Sequence, residues 1–429
     1  MVPRTYLRVY PARTLIMISV QGNSRYRWYI LLLAMMTYGS IAGSARLCMP
    51  VLFPEISIEL GLSMVAIGAI WGMDPLAGVF LALPGGLLAD RFGVKRMLTV
   101  VCILAGVFGA LRGFSVDFLS MAAFMFLFGL MAAVTPSIVP KVTAVWFAGR
   151  RLGLANGLLN VAWSVGAVIA TLSSATFLSP WLGGWRNVLF FFGAPPVLLG
   201  LLWWLTGREP HKQDATDAMA TSEPLRKALA RVTRIRDVWV MGFVLMANWG
   251  ANMGFLGYLP TYLRNVGWEP AMADSAMTAL SGIGVFGVIP MVLYSDKIGS
   301  RKTVMIFSIL VLALTVGLIP LVNTTGVWML LIIGGILRSG VTALANTLIF
   351  EIKGVGGTYG GTAIGLTYSL AMLGAFASPP IGNSLTAFTG DMPLFFWALL
   401  AVVALPLLLL VKETRSRPVF GIEERTREK

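Results

Sequence analysis

The feature that most limits what this chain can fold into is an apolar run of roughly twenty residues that recurs twelve times between short polar loops. A helix rising 1.5 Å per residue crosses a hydrocarbon core about 30 Å thick in about 20 residues, so each run is read as one membrane crossing. The runs cover 28–51, 63–85, 97–114, 118–147, 152–178, 187–206, 238–263, 271–294, 303–322, 326–350, 362–388 and 392–411. Of 429 residues, 57% are hydrophobic and 12% charged. That charged share is about half of what a soluble domain carries, and the hydrophobic share is too high for a disordered chain. The expected class is therefore an all-α membrane protein with twelve transmembrane helices. Cys48 and Cys102 both lie in apolar runs, and His211 is the only histidine. They provide almost no material for a disulfide framework, a metal centre or a catalytic histidine. No cofactor, no metal and no enzymatic activity are expected.

The chain carries a net charge of +14, which could suggest nucleic acid until the charges are sorted by side. With twelve crossings both termini share a side. The loops and tails on that side hold 27 of the 33 lysines and arginines, and the opposite loops hold three, Arg112, Arg186 and Arg264. Arg46, Lys141 and Arg338 fall inside apolar runs. Acidic residues divide as 12 on the basic side, six opposite and one, Asp74, in the membrane. Positive charge collects in the cytoplasm, which puts both termini there, in a plasma membrane or a bacterial inner membrane, with no nucleic-acid partner. The first 27 residues carry five arginines and no acid. An over-called start or a disordered basic tail is preferred to a transit peptide, and the stretch Leu15–Val20 is too short to span.

The chain also repeats itself. Gly86-Leu87-Leu88-Ala89-Asp90-Arg91-Phe92-Gly93-Val94-Lys95-Arg96 follows the second run, and Tyr294-Ser295-Asp296-Lys297-Ile298-Gly299-Ser300-Arg301-Lys302 follows the eighth. Asp90 and Asp296 are 206 residues apart, and Gly129 with Gly335 and Phe190 with Phe396 keep that offset. Six crossings separate the copies, an even number, so the two halves run in parallel. The expected organisation is an N-terminal tail 1–27, a six-helix half 28–206, a cytoplasmic linker 207–237, a second half 238–411 and a tail 412–429.

These two loops resemble the signature of the major facilitator superfamily, closely in the first copy and with Val292 in place of a glycine in the second. The resemblance covers almost the whole chain. It implies alternating access around a central cavity, with Gly86, Asp90, Arg91, Gly93, Arg96, Asp296 and Arg301 as the gating motif. Ser44-Ala45-Arg46, Pro50, Phe53-Pro54-Glu55-Ile56 and Leu60-Gly61-Leu62-Ser63 look like the anion:cation symporter branch. Trp146-Phe147 with Arg150-Arg151 is similar to that branch and to cyanate-transporter-like proteins. A nitrate/nitrite transporter is disfavoured, since the second and eighth runs lack its arginines and the fifth and eleventh its glycine-rich signature.

Ionisable side chains inside a membrane are costly and mark functional positions by default. Asp74 lies sixteen residues from Asp90, about 24 Å along its helix, and Arg46 eighteen residues from Trp28, about 27 Å. Their similar depth on successive helices makes a pair plausible. In one reading Asp74 takes up a proton that is coupled to anion binding at Arg46; in the other the two form a permanent salt bridge. Arg338 lies about 18 Å into the tenth run with no acid of its own half at that level, and its fork suits a carboxylate. Tyr38, Asn160, Trp163, Asn248, Asn252, Tyr258 and Tyr368 are candidate cavity residues on gating helices; some should line the cavity, although such a residue taken alone more often serves helix packing. The surplus of membrane cations favours a small anion as substrate, with protons as coupling ion and a monomer in the bilayer. The fifth run lacks the antiporter signature, which favours uptake. A multidrug exporter and a transporter-like sensor are the rival readings.

Overall fold

The computed structural model describes residues 24–147, 150–208, 225–338 and 340–411, and among them the regular elements are helical. The tails 1–23 and 412–429 and linker residues 209–224 lie outside the described residues. The first rod is α1 (Ser24–Tyr38), a π-helical stretch Gly39–Ala45, and α2 (Arg46–Leu60). The second to sixth rods are α3 (Met64–Phe92), α4 (Val94–Leu111), α5 (Phe118–Trp146), α6 (Arg150–Ser173) and α7 (Trp185–Thr206). A short helix α8 (Leu225–Val232) lies in the linker. The second half holds α9 (Arg236–Asn265), α10 (Pro270–Gly282) with α11 (Val285–Ile298), α12 (Arg301–Leu318), α13 (Thr324–Arg338) with α14 (Gly340–Glu351), α15 (Gly356–Ser384) and α16 (Met392–Leu410).

Ten of these rods are long and apolar enough to cross a membrane by length and composition. The other two have physical reasons for falling short. The eighth is divided into pieces of 13 and 14 residues, each too short alone, and the seventh, 30 residues long, carries Asn248, Asn252, Tyr258 and Tyr262. The first rod outruns its expected end at residue 51, and the two acids on the added stretch are met by protein donors, Glu55 by the Ser179 hydroxyl and Glu59 by the Trp185 indole and Arg186. It stops at Gly61, whose φ of 62° is the left-handed conformation glycine adopts without strain. Ser63 caps the next helix, accepting from the Ala66 N–H at 3.2 Å.

The packing order repeats between the halves. The third rod lies on the sixth (α4 on α7), and the ninth on the twelfth (α12 on α16). The halves meet along two seams, α3 against α15 and α6 against α10. The first seam is built on glycine: a Cβ at Gly72 would come 2.5 Å from the Phe376 carbonyl oxygen, and one at Gly68 2.8 Å from Pro379.

Among the described residues, four hydrogen bonds cross between the halves toward the face away from the basic loops. The Asn383 amide donates to the Met64 carbonyl at 2.8 Å, and the Trp71 indole to that of Met253 at 2.9 Å. Thr171 and Thr278 share a bond of 2.8 Å, and Thr176 donates to Asp274 at 3.0 Å. Asp274 is fully buried and also accepts from Arg264 at 2.5 Å. Thr176→Val should remove one seam bond worth about 1 kcal/mol, roughly a fivefold shift toward opening on this face. A cysteine at position 256 on the cavity wall should then react about fivefold faster with a membrane-impermeant thiol reagent added from that side. The native Cys48 and Cys102 are buried and stay silent. Unchanged labelling would mean that this bond does not hold the seam.

On the basic face, Gly93 closes α3 with φ 90° and its N–H on the Ala89 carbonyl at 3.0 Å. Gly86, Asp90 and Arg91 fall on the helical backbone of α3, but their side chains lie outside those described. Arg96 is exposed. In the second copy Arg301 bridges Asp296 and Glu351, each at 2.9 Å, and so ties the start of α12 to the ends of α11 and α14.

Candidate functional site

The site starts from the break in the first rod. Gly39-Ser40-Ile41-Ala42-Gly43-Ser44-Ala45 is a run of mostly small residues that winds as a π-helix, a form that disturbs the regular carbonyl pairing. The Trp163 indole N–H takes the Ala42 carbonyl at 3.1 Å, and a guanidinium N–H of Arg112 takes that of Ala45 at 2.7 Å. Arg46 follows at once as the first residue of α2 and reaches the central space, with 30% of its side chain exposed. Its Nε meets the Asp74 carboxylate, which is itself only 3% exposed. Asp74 sits where α3 passes closest to α5: a Cβ on Gly129 would lie 2.7 Å from the Asp74 Cα.

The second half contributes one turn of α9 and the end of α13. Asn248, Trp249 and Asn252 share a face of α9 by their spacing. Arg338, the last residue of α13, donates through Nη1 to the Asn252 carbonyl oxygen at 3.1 Å. Its Nε, and the Nδ2 of the buried Asn248, have no hydrogen-bond partner among the described residues. Behind them the Trp249 and Tyr368 rings lie 5.2 Å apart, and the Tyr368 hydroxyl donates to Asn346 at 2.9 Å.

Between these two sets lies a cavity of about 740 Å³, within the range of small-molecule sites. Trp71 and Met253 are at its closed end, and its wall extends along α6 to Leu154, which is exposed near the basic face. The space is thus shut on one side of the membrane and reaches toward the other. Its charged wall residues, among those described, are Arg46 and Arg338. Asp74 offsets the first. Among the described residues the second meets an amide, which leaves one positive charge facing a space otherwise lined by neutral side chains.

The wall brings together Tyr38, Arg46, Asn160, Trp163, Asn248, Asn252 and Arg338, with Asp74 just behind Arg46 and Tyr368 behind Trp249. Asn160 spends one donor on the Asn156 carbonyl at 3.0 Å. Tyr258 is not on the wall: it is 2% exposed, packs edge-on to Trp397 and donates to the Gly390 carbonyl at 3.0 Å. Six residues along α9 from Asn252, it faces the other side of the helix. Arg112 also departs from expectation. Counted with the loops of the acidic face, it is instead wholly buried, Nε on the Gly109 carbonyl at 3.0 Å and the guanidinium 4.2 Å over the Phe128 ring. Trp71, Met372 and Thr342 of the wall were not singled out from sequence; they lie in apolar runs that give no sign of which side faces inward.

Comparison with known proteins agrees with this geometry. The family model described as "Major Facilitator Superfamily" matches residues 28–359 and 264–428. The sialic acid transporter NanX of Escherichia coli is 25% identical over 78% of this chain and 81% of its own length. The probable nitrate/nitrite antiporter NarK1 of Thermus thermophilus is 26% identical over 85% and 87%, so the missing nitrate signature does not prevent overall similarity. The probable galactarate/D-glucarate transporter GudP of Escherichia coli is 30% identical over 46% of this chain and 44% of its own. Among solved structures, a bacterial homologue of the lysosomal transporter Spinster in an inward-facing, occupied conformation superposes with a TM-score of 0.74 at 17% identity, covering 93% of this chain and all of that one. The nucleoside transporter NupG gives 0.73 at 15% identity over 90% of this chain and all of the other. With its parallel six-helix halves around a central cavity, and a family match running almost from end to end, the chain belongs to the major facilitator superfamily: it is a multi-pass membrane transporter and not an enzyme.

Proposed function

We propose that this protein takes up a small organic anion by alternating access, with a proton bound at Asp74 driving the cycle. It would work as a monomer, in a plasma membrane or bacterial inner membrane, both termini in the cytoplasm. The observation that carries the reading is Arg338: a guanidinium on the cavity wall whose polar partner is an amide, with Nε unpaired among the described residues. A carboxylate would supply the missing charge and accept two parallel hydrogen bonds. Asn248 and Asn252 would meet hydroxyls on the body of the substrate, and Trp163 and Trp249 its carbon faces. The relatives named for sialic acid, for galactarate and D-glucarate, and for nitrate point to anions too. A cationic drug would instead face the charge of Arg338, which no acid on the wall offsets among the described residues, and this argues against a multidrug exporter.

The test is uptake into proteoliposomes of N-acetylneuraminate, D-glucarate, galactarate and nitrate, each with and without an inward proton gradient. Gradient-stimulated accumulation of a carboxylate is the expected result. Efflux of ethidium with no uptake of any anion would overturn the reading.

A further inference from the structure

Joining two six-helix halves needs only a length of chain, yet the end of the linker folds onto the protein. A helix as short as α8 is unstable alone and depends on what it packs against. Ala228 and Val232, one turn apart, are buried where α8 meets α15. The Arg231 guanidinium lies 5.2 Å over the ring of Tyr359 in α15. Just past the helix, the Ile235 side chain would lie 3.6 Å from a Cβ on Gly354. The indole of Trp239, in the first turn of α9, then donates to the Thr233 carbonyl at 2.8 Å. The segment from α8 to α9 is thus fastened along its length.

What this fastening leaves outside is charge. Lys227, Arg231, Arg234 and Arg236 are exposed. The contact between Ile235 and Gly354 brings in Lys353 from the chain that leads into α15, and it too is exposed. Five cations from two distant parts of the sequence therefore share one surface, and none of them makes an ion pair among the described residues. Of the acids next to them in sequence, Glu351 is bonded to Arg301, and Asp237 lies in the first turn of α9, where the helix dipole favours it. The surface lies where α9 leaves the linker to enter the bilayer, level with the headgroups. Trp239 has the position that indoles take at that interface, and Leu229 is 37% exposed on α8. A soluble anion would meet these charges through screening salt, whereas a lipid phosphate is held beside them by the membrane itself.

We propose that the outer surface of α8, with Lys353 and Arg236, binds the phosphate headgroups of anionic lipids of the phosphatidylglycerol type and so holds the linker against the membrane. The site is separate from the transport cavity and does not depend on which solute is carried.

The experiment places a bimane label on Leu229→Cys in the full-length protein, reconstituted in phosphatidylcholine vesicles that contain a minority of phosphatidylglycerol. The native Cys48 and Cys102 are buried and stay unlabelled. Brominated chains are carried by one lipid or the other at equal mole fraction. Quenching should be stronger from phosphatidylglycerol at this position, and equal from the two lipids for a label on Val116→Cys, in a loop on the opposite face. A basic residue near the surface contributes about fivefold, so Lys227→Gln, Arg234→Gln and Lys353→Gln should each lower the preference by up to about that factor, and the triple variant should abolish it. Lys353→Arg, which keeps the charge, should leave it unchanged. Native mass spectrometry of unlabelled protein equilibrated with equal amounts of the two lipids reads the same difference if the label disturbs α8. Equal quenching by both lipids at position 229, the same preference at position 116, or a preference that survives the triple variant overturns the proposal. Loss of the preference on adding inorganic phosphate at constant ionic strength would assign the surface to a soluble anion and overturn it as well.

Discussion

Arg338→Gln should abolish measurable uptake while leaving the protein at least as stable as the parent. Removing the charged partner of a buried, hydrogen-bonded ligand carboxylate costs about 3 kcal/mol, a fall in uptake efficiency of about 150-fold. The same substitution removes a guanidinium that has no carboxylate partner among the described residues, and so relieves a desolvation cost in the empty protein. Arg338→Lys keeps the charge and loses the planar fork; a fall of about tenfold is expected. Uptake kinetics and thermal unfolding in the same detergent check both halves of the statement. A large drop in melting temperature accompanying the loss of transport would move Arg338 from substrate to scaffold.

Asp74→Asn is the second large effect, and it separates the two readings left open by the sequence. A pH difference of one unit is worth 1.36 kcal/mol per proton, about tenfold accumulation of a coupled solute. If Asp74 carries that proton, the variant should equilibrate substrate across the vesicle but no longer accumulate it, and substrate exchange should persist. If the Arg46 pair is permanent, accumulation should survive and the damage should fall on folding. That damage is limited in either case, because Arg46 reaches the cavity and can be solvated there, unlike the partner of a fully buried pair that has been broken.

The span of nearly every crossing could be read from the sequence, because hydrocarbon thickness and helical rise leave few choices for an apolar run. The depth arithmetic on Arg46 and Asp74 placed them level, and they are in contact. Other features could not be read this way. The π-helical stretch has no signature beyond small residues, yet it decides where Arg46 points. Arg112 sits at a helix end, where a cation ordinarily meets water; only the packing of α4 and α5 around it and the neighbouring Ala45 carbonyl bring it inside. Tyr258 and Asn252 share a helix and a polar character, and only the placement of neighbouring helices sends one to the cavity and the other to the packed core. Hydropathy reports depth well and rotation about the helix axis poorly.

Four of the bonds that join the halves among the described residues lie toward one face, with the cavity reaching toward the other. An empty carrier built this way exposes its site to the far side for only a fraction of the time, and an anion arriving there meets an affinity lowered by that fraction. Measured from its two sides, the same site should therefore yield two dissociation constants, and their ratio is a direct reading of how firmly the seam is held.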